Sequence, residues 1–305
     1  MASVVSRFAL IVLLLPSACV AVDTPEACRI TRVTELPIRM VGNFPLVEVM
    51  INDRPVRLLL DTGADGTVVS EDAFARLGLE RDYTLTASTA GLGAGSVNWP
   101  SKAVTTALGT LTLKPAPVFV AHIKWPLRDQ DEVDGLLGGQ VLSAYDADID
   151  MPQGRLTLYQ PRHCPNGPAP FGGPSMTLHA AGNLAYRLAV PIRVDEISMV
   201  AVVDTGASAT LLDSTRVKLT AEDLAKDRSR RATTADPVGL DVHVHRFDQL
   251  QVGSETIENP TLVVGQMRKT GFNALLGSDY WRTRRIWLSY AGRTVTIGQR
   301  QPQPR

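Results

Sequence analysis

Two stretches of the chain carry a run of apolar residues directly into an aspartate. In RLLLDTGADGTVVS, residues 57–70, three leucines precede Asp61. In MVAVVDTGASATLL, residues 199–212, four aliphatic residues precede Asp204. Short apolar runs bounded by Gly and Asp predict buried strands. Because an isolated ionised carboxylate is costly to bury, each aspartate is expected to have a partner inside the protein.

The sequence also repeats in one order on both sides of a Pro- and Gly-rich segment, residues 161–175. A Leu-Leu-Gly block ends at Gly138, 77 residues after Asp61, and another ends at Gly277, 73 residues after Asp204. Five blocks match in this way, which indicates an internal duplication. The matched pairs are PLVEVMINDRPVRLLLDTGA (45–64) with LAVPIRVDEISMVAVVDTGA (188–207), TASTAGLGAG (86–95) with RATTADPVGL (231–240), LGTLTLKPAPVFV (108–120) with VGSETIENPTLVV (252–264), DGLLGGQVL (134–142) with NALLGSDYW (273–281), and GRLTLYQ (154–160) with GRTVTIGQ (292–299).

Most of the matched segments are short apolar or alternating runs bounded by Gly, Pro, Asn and Asp, a pattern typical of strands and turns. Short helices are predicted after Ser70, a candidate N-cap, as far as Gly78, and again after Thr220. The chain is therefore predicted to be mainly β, with two homologous β-barrel lobes related by a pseudo-twofold axis and a cleft between them. The predicted boundaries are 1–21 for a signal peptide, 22–36 for an N-terminal lead segment, 37–160 for the first lobe, 161–175 for the linker, 176–300 for the second lobe and 301–305 for a tail.

Composition narrows the choice of partners. The chain has 305 residues, of which 44% are hydrophobic, enough for two lobes. Its 31 basic residues balance 31 acidic residues. A net charge of zero gives no electrostatic reason to expect nucleic acid or an anionic membrane as a partner.

The N-terminal residues predict export. FALIVLLL, residues 8–15, is too short to span a bilayer, and small residues follow it as far as Ala21, which is typical of a signal peptide. The mature chain is then expected in the periplasm or secreted. LPSAC also resembles a lipoprotein box, which would lipidate Cys19 and anchor the chain to a membrane, although Pro16 stands where that box has Leu.

The remaining cysteines agree with export. Once Cys19 is removed or lipidated, Cys28 and Cys164 are left, an even pair in an oxidising compartment, and we expect them to form a disulfide. The alternative is two unrelated free thiols.

The duplication gives the two aspartates a chemical purpose. Residues close to a twofold axis meet their counterparts, so Asp61 is expected to face Asp204. Two adjacent carboxylates cannot both stay ionised, and they titrate as a pair that shares one proton. Such a pair can accept a proton from water and donate one to a carbonyl oxygen, which hydrolyses an amide with no metal, no cofactor and no covalent intermediate.

These residues also carry a family resemblance. LLLDTGADGTVVS closely resembles the active-site stretch of retropepsins, the retroviral-type aspartic proteases, and the two Leu-Leu-Gly blocks resemble the hydrophobic-hydrophobic-Gly motif of that family. The similarity covers about residues 40–160 and 180–300. Retropepsins are usually homodimers with one such copy in each subunit. This chain resembles a fused pair, as in exported bacterial aspartyl proteases, and is expected to be a monomer.

The resemblance implies roles for individual residues. It makes Asp61 and Asp204 the catalytic pair, and it places a glycine-rich flap over residues 88–96. Two positions depart from the family pattern: Gly66 replaces its second Asp, and Ser208 stands at the lobe-two position equivalent to Asp65. The other implied roles are reciprocal hydrogen bonds between the loops for Thr62 and Thr205, and substrate contact for Gly63, Asp65, Gly206, Gly91 and Gly93.

The second flap is predicted to differ from the first, because TTADPVGLD, residues 233–241, has fewer glycines and contains Pro237. Ala64 and Ala207 stand where pepsin-like enzymes carry Ser or Thr. Without a hydroxyl to stabilise the charged form, the pair is expected to keep its shared proton to higher pH, which predicts a mildly acidic to near-neutral optimum.

The predicted function is that of an aspartic endopeptidase acting on a polypeptide in extended form. The alternative is an inactive peptide-binding or regulatory module on the same fold. Self-processing that removes residues 22–36 stays open, and the sequence does not specify a substrate. His243 and His245 lie on one strand face, but no third ligand is evident, so no metal is predicted. Trp99 either supports the flap or belongs to the core.

Overall fold

Strands dominate the architecture, as the sequence predicts. A computed structural model describes residues 27–90, 95–123, 133–164, 169–180, 186–232, 240–267 and 271–301. Helices in this part of the chain have four to six residues, and none of them has the length and apolar character needed to cross a membrane. They are α1 (Glu71–Arg76), α2 (Gly139–Leu142), α3 (Ala221–Lys226) and α4 (Ser278–Trp281).

Most strands of the first half form an eight-stranded sheet. The strands of this half are β1 (Arg29–Pro37), β2 (Arg39–Val41), β3 (Phe44–Ile51), β4 (Arg54–Leu60), β5 (Val68–Ser70), β6 (Ala87–Ala90), β7 (Gly95–Asn98), β8 (Thr106–Leu108), β9 (Leu111–Thr112), β10 (Phe119–Ala121), β11 (Gly135–Leu137), β12 (Asp146–Asp150) and β13 (Arg155–Arg162). The order in the sheet is β10-β5-β11-β4-β3-β8-β9, with β2 paired to β3, and β6 and β7 form a separate hairpin.

The second half builds a larger sheet on the same plan. Its strands are β14 (Ser175–Thr177), β15 (His179–Ala180), β16 (Leu188–Val194), β17 (Ile197–Val203), β18 (Leu211–Asp213), β19 (Arg228–Ala232), β20 (Leu240–Arg246), β21 (Gln249–Val252), β22 (Glu255–Glu258), β23 (Thr261–Gly265), β24 (Ala274–Leu276), β25 (Arg285–Ser289) and β26 (Thr294–Ile297). The sheet order is β19-β20-β23-β18-β24-β17-β16-β21-β22, with β15 paired to β16.

Strand pairing repeats between the lobes residue for residue. In the first lobe Leu60 at the end of β4 lies opposite Leu137 of the parallel strand β11. In the second lobe Val203 at the end of β17 lies opposite Leu276 of the parallel strand β24. The predicted duplication is therefore present in the fold, and each aspartate follows a buried strand inside its sheet.

Strands β3 and β4 of the first lobe form a hairpin that closes through a tight turn. Asn52 and Asp53 connect β3 to β4, and both have positive φ, 47° and 61°. Two consecutive residues in this region are typical of a type I′ turn, whose twist matches that of the flanking strands. The turn fixes the register of β4 and so the position of Asp61 at its far end.

One six-stranded sheet joins the two halves, in the order β1-β13-β12-β25-β26-β14. Strand β12 of the first half pairs antiparallel with β25 of the second half, with Asp148 opposite Trp287. Arg285 strengthens this junction by donating hydrogen bonds of 2.8 and 2.6 Å to the Asp148 carboxylate. The core on the aliphatic face of the sheet is continuous through both lobes, which holds them in one arrangement.

Both predicted helix starts are confirmed. The Ser70 hydroxyl accepts a hydrogen bond from the backbone N–H of Ala73 at the start of α1, and Gly78 follows the helix with a φ of 63°. Thr220 caps α3 through a capping box with Asp223. Ser and Thr are favoured at these positions because their oxygens satisfy backbone donors that have no partner within the helix.

The predicted disulfide between Cys28 and Cys164 is confirmed. It ties the residue before β1 to the residues after β13, and these two strands pair along their length. Residues 29–36 of the predicted lead segment thus lie in β1, at one edge of the shared sheet. The disulfide joins residues 136 positions apart, and closing so long a loop restricts the unfolded chain and stabilises the fold.

Candidate active site

Two equivalent loops deliver Asp61 and Asp204 to the same place between the lobes. The backbone N–H of Asp61 donates to the carbonyl of Leu137 at 3.0 Å, and the N–H of Asp204 donates to the carbonyl of Leu276 at 3.1 Å. The Leu-Leu-Gly strands β11 and β24 therefore hold the point at which each aspartate leaves its own strand.

The threonine after each aspartate binds the opposite lobe. The Thr62 hydroxyl donates to the carbonyl of Val203 and the Thr205 hydroxyl to the carbonyl of Leu60, both at 2.6 Å. Each hydroxyl oxygen also accepts the backbone N–H of the other threonine at 3.1 Å. All four bonds are buried, so the two loops are bound together by a symmetric network in a region of low dielectric constant.

The glycine after each threonine makes room for the opposite carboxyl group. A Cβ atom on Gly63 would overlap the carboxyl group of Asp204, and one on Gly206 would overlap that of Asp61. Any side chain at either position would displace a carboxyl group. The two carboxyl groups lie side by side and are hydrogen-bonded to each other.

Backbone donors distinguish the two aspartates. Asp204 Oδ1 accepts the N–H groups of both Gly206 and Ala207 at 2.9 Å. Asp61 Oδ1 accepts the N–H of Gly63 at 2.9 Å. Because such bonds stabilise a carboxylate more than a neutral acid, the ionised form is better supported on Asp204.

Electrostatics lead to the same assignment. Burial raises the pKa of Asp61 well above its ordinary value, and the charge of Asp204 raises it further. The N–H of Gly63, the charge of Arg187 and the N–H of Ala64 offset part of this. Burial also raises the pKa of Asp204, and the N–H of Ala207, the charge of Arg187 and the N–H of Gly206 offset part of that shift. The two carboxyl groups therefore titrate as a pair that shares one proton, and the additional N–H donor of Ala207 favours the ionised form on Asp204. The pair can then act as an acid on one side and a base on the other.

Comparison with known proteins identifies the family. The sequence pattern of the aspartyl protease family matches residues 47–141 and 190–280, the two repeated regions, and so covers more than half of the chain. The chain belongs to the aspartyl protease family. Its two copies are retropepsin-like, as the Asp-Thr-Gly-Ala and Leu-Leu-Gly blocks predicted.

A solved structure of an aspartic proteinase has the same fold as this chain. The crystal structure of an aspartic proteinase from Irpex lacteus matches with a TM-score of 0.57, over 90% of this chain and 98% of that chain. The sequence identity is 15%, so the match concerns the fold. A search of curated proteins returned no match. The predicted fold class, mainly β with two lobes, is confirmed.

The structure explains one departure from the retropepsin pattern. A Cβ atom on Gly66 would overlap the ring of Phe119, so the second Asp of that pattern has no room here. The other departure gives the loops different charges. Asp65 in lobe one is 3.5 Å from Arg187 of lobe two, whereas the Ser208 carbonyl in lobe two accepts the side-chain amide of Asn43 at 2.8 Å.

Sequence reasoning missed Arg187, which pairs with Asp65 and whose charge acts on both aspartates. It stands just before β16, outside the Asp-Thr-Gly and Leu-Leu-Gly blocks, and no motif points to it. Tyr290, just after β25, was also missed; burial raises the pKa of its hydroxyl, and the charges of Asp61 and Asp65 raise it further. Both residues are far from Asp61 along the chain, and only the folding of lobe two brings them close to it.

The predicted flap of lobe one lies on a hairpin. Strands β6 and β7 pair from Ala87 opposite Asn98 to Ala90 opposite Gly95, whereas Gly91 and Gly93 lie outside the described residues. Trp99 follows this hairpin and is 45% exposed, so of the two alternatives the one that places it in the core is wrong. Its ring packs edge-to-face on Tyr83 at 5.5 Å, beside the start of β6.

The lobe-two hairpin continues the main sheet, because β20 pairs with β23. Both of its histidines have hydrogen-bond partners across the hairpin. His245 Nδ1 lies 2.9 and 3.1 Å from the Asp227 carboxylate oxygens, and His243 Nδ1 lies 3.1 Å from the Ser229 hydroxyl. Within the part of the chain that the structure describes, no three His, Cys, Asp or Glu side chains are grouped as metal ligands.

Proposed function

We propose that this chain is an aspartic endopeptidase in which Asp61 and Asp204 share one proton and hydrolyse peptide bonds. The observation that supports this most directly is the contact between the two carboxyl groups, each seated against the glycine of the other lobe. Membership of the aspartyl protease family and a fold shared with an aspartic proteinase support the same reaction.

In the proposed reaction a water molecule attacks the carbonyl carbon of the substrate. Ionised Asp204 accepts a proton from this water, while Asp61 donates its proton to the carbonyl oxygen, which yields a neutral tetrahedral diol. Asp204 then donates its new proton to the leaving nitrogen as the carbon–nitrogen bond breaks, and Asp61 recovers a proton from a diol hydroxyl. The pair returns to its starting state with no covalent intermediate and no cofactor.

The neighbouring residues have supporting roles in this proposal. Thr62 and Thr205 keep the two loops at the spacing that a shared proton requires. Gly63, Gly206 and Asp65 are proposed to contact an extended polypeptide beside the pair, and so are Gly91 and Gly93, which lie outside the described residues. Since one chain supplies both lobes, the proposed active unit is a monomer, an internal equivalent of a symmetric dimer.

The proposed pH optimum is mildly acidic to near neutral. Burial raises the pKa values of both aspartates, and Ala64 and Ala207 offer no hydroxyl to stabilise the charged form. We expect kcat/KM to peak well above pH 2, because the pair keeps its single proton to higher pH. A maximum near pH 2 would contradict this assignment.

We propose that the mature protein is exported, to the periplasm or beyond. The Cys28–Cys164 disulfide supports this, because such bonds persist in oxidising compartments. Mass spectrometry of the mature N-terminus decides between cleavage after Ala21 and a lipid on Cys19. An N-terminus that still carries residues 1–21 would contradict export by either route.

Cleavage of an unfolded protein substrate tests the reaction. Asp61→Asn and Asp204→Asn are each expected to lower kcat/KM by about 10²–10⁴-fold, since general acid and base catalysis supplies about that much. Asp53→Asn is the matched control, because Asp53 is exposed in a turn where Asn also accepts a positive φ. We expect the control to cleave at the wild-type rate.

The same assay separates the alternative function. A peptide-binding module without activity would bind the unfolded substrate and leave it intact, in the wild type as in both variants. Unimpaired cleavage by Asp61→Asn, or cleavage abolished by a chelator, would refute the aspartate mechanism.

A further inference from the structure

A segment of lobe two crosses onto the active-site loop of lobe one. A Cβ atom on Gly139 would lie 3.3 Å from the carbonyl oxygens of both Ala64 and Tyr186, so the backbone at Tyr186 packs against the loop that follows Asp61. The next residue, Arg187, places its guanidinium 3.5 Å from Asp65, and its side chain is 17% exposed. Arg187 is therefore held against the loop that follows Asp61.

The pseudo-twofold axis does not repeat this charge. Strand β16 pairs with β17 as β3 pairs with β4, with Ala189 opposite Val202 and Leu46 opposite Leu59. This correspondence carries Arg187 onto Phe44. On that side the lobes are joined without an ion pair to Ser208, through the hydrogen bond from Asn43 to the Ser208 carbonyl. Arg187 thus has no cationic counterpart at the equivalent position of lobe one.

Arg187 acts on both carboxyl groups of the pair. Its charge lowers the pKa values of Asp61 and Asp204, against the effect of burial. Asp65 forms an ion pair with it. Tyr290 also faces Asp61, and burial raises the pKa of its hydroxyl, with a smaller contribution from the charges of Asp61 and Asp65.

In lobe two, Asp279 lies in helix α4 and Arg282 follows that helix directly. Burial raises the pKa of Asp279, and the charge of Arg282 opposes this. Arg282 also donates to the Asn43 side chain at 3.2 Å. Arg282 therefore acts on Asp279 and on the lobe junction. The cation that acts on the aspartate pair is Arg187.

We propose that Arg187 is a positioning residue of the aspartate pair: fixed between the lobes by Asp65, its guanidinium keeps a positive charge beside the two carboxyl groups, so that one of them remains ionised. The proposal rests on the proposed function, because an ionised Asp204 is the base in that reaction. It also predicts that the working pH range of the pair depends on a residue outside both repeated motifs.

Carboxyl ¹³C NMR titration of Asp61 and Asp204 in the free protein tests this without requiring activity. Arg187→Met is expected to raise both macroscopic pKa values by about 0.5–1 pH unit, a shift typical of removing one nearby charge in a partly screened site. Arg187→Lys retains the charge and is expected to titrate within about 0.2 unit of the wild type. Arg187→Gln retains a donor to Asp65 and replaces the Met variant if that variant does not fold.

Asn43→Ala is the matched control, because it removes a contact between the lobes without changing charge. We expect it to leave the titration unchanged. In the kinetic arm, the acidic limb of kcat/KM moves to higher pH in Arg187→Met by the same amount as the NMR titration, and Arg187→Lys restores it.

The outcomes separate this proposal from the proposed function. An unchanged titration in both neutral Arg187 variants overturns the role of Arg187, and so does an equal shift in Asn43→Ala, which would indicate general loosening. A wild type that titrates as expected but cleaves no substrate overturns the proposed function and leaves the electrostatic role of Arg187 supported.

Discussion

The loop after Asp204 and the equivalent loop after Asp61 differ in the hydrogen bonding of one threonine. In lobe two, the backbone N–H and the hydroxyl of Thr210 both donate to Asp279 at 2.8 Å. Thr67 and Gln140 occupy the equivalent positions in lobe one. Among the described residues, the Thr67 hydroxyl and the Gln140 side-chain oxygen are buried without a hydrogen-bond partner.

The hairpins beside the cleft differ in a similar way. In lobe two, β19 and β20 extend the ten-stranded sheet through β23, whereas in lobe one β6 and β7 pair with each other in a sheet of two strands. The ladder to β23 restrains the lobe-two hairpin along one whole strand, so we expect slower amide exchange in β20 than in β7.

The lobes agree where each depends on the other. The bonds of Thr62 and Thr205 match in partner and in length, and both glycines face the opposite carboxyl group. A change in one copy here affects both loops, because each loop supplies the partners of the other. Residues within a single lobe lack that constraint and have diverged, as Gln140 and Asp279 have.

The largest expected effect comes from breaking the symmetric contacts of the glycines. Gly63→Ala and Gly206→Ala each place a methyl group where the opposite carboxyl group lies. We expect kcat/KM to fall about 10²-fold or more in both, since small displacements at a reacting centre cost this much. Steady-state kinetics on one peptide measures it. Gly172→Ala is the control, because nothing lies within 4 Å of its added Cβ, and wild-type activity in either active-site variant would contradict the described packing.

The threonine network is expected to give equal losses of stability in the two lobes. Thr62→Val and Thr205→Val keep the shape of the side chain but remove a buried hydroxyl that makes two hydrogen bonds across the lobes. Each is expected to lower the free energy of unfolding by about 2–4 kcal/mol, because backbone groups are left unpaired.

Urea denaturation of the two single variants and the double variant measures this loss. We expect the double variant to lose less than the sum, since the bonds belong to one network. Thr112→Val, at an exposed position, controls for the substitution itself. A clear difference between Thr62→Val and Thr205→Val would break the symmetry.

The pH dependence of stability tests whether the aspartates titrate as a pair. Because burial raises the pKa values of Asp61 and Asp204 above the unfolded value, the folded state binds more protons than the unfolded state once the pH exceeds about 4. Their contribution is fully present below that pH and is lost as the pH rises through the folded values, by up to about 1.4 kcal/mol per pH unit for one proton.

Asp61→Asn and Asp204→Asn are both expected to flatten this slope, whereas Asp53→Asn keeps it. Urea denaturation at pH steps from 4 to 7 measures the difference from the wild type, which removes the contribution of all other groups. A slope unchanged in both variants would mean that the carboxyl groups do not interact.

The smallest expected effect separates the two loops. Thr210→Val removes a hydrogen bond to the buried Asp279 carboxyl group and is expected to cost about 1–2 kcal/mol of unfolding free energy. Thr67→Val removes a hydroxyl that has no partner in the described structure, and is expected to be neutral within about 0.5 kcal/mol or stabilising. Equal losses in the two variants, measured by the same denaturation assay, would show that the loops are bonded alike.

Local features of the fold could be predicted well because their causes are local. Ser70 and Thr220 start helices through oxygens that reach donors three residues away. The two apolar runs mark the strands that end at Asp61 and Asp204, because burial is written in the spacing of aliphatic residues. The duplication added one long-range inference, since equivalent residues near a twofold axis must meet.

Other features depend on contacts that no local pattern encodes. Alternation in residues 146–150 is typical of a strand with one face in water, yet Asp146, Asp148 and Asp150 are all buried. The shared sheet brings Arg285 from far along the chain to pair with Asp148. This ion pair offsets the cost of burying the Asp148 carboxylate.

The sequence by itself determined that the chain has two copies of one lobe, that an aspartate ends a buried strand in each, and that Cys28 and Cys164 can pair. Only the tertiary structure decided that the charge of Arg187 acts on the aspartate pair and that the two aspartates accept different numbers of backbone hydrogen bonds. The reason is physical: repeats and caps reflect interactions between near neighbours, whereas the charge around a buried group depends on every segment that folding packs against it.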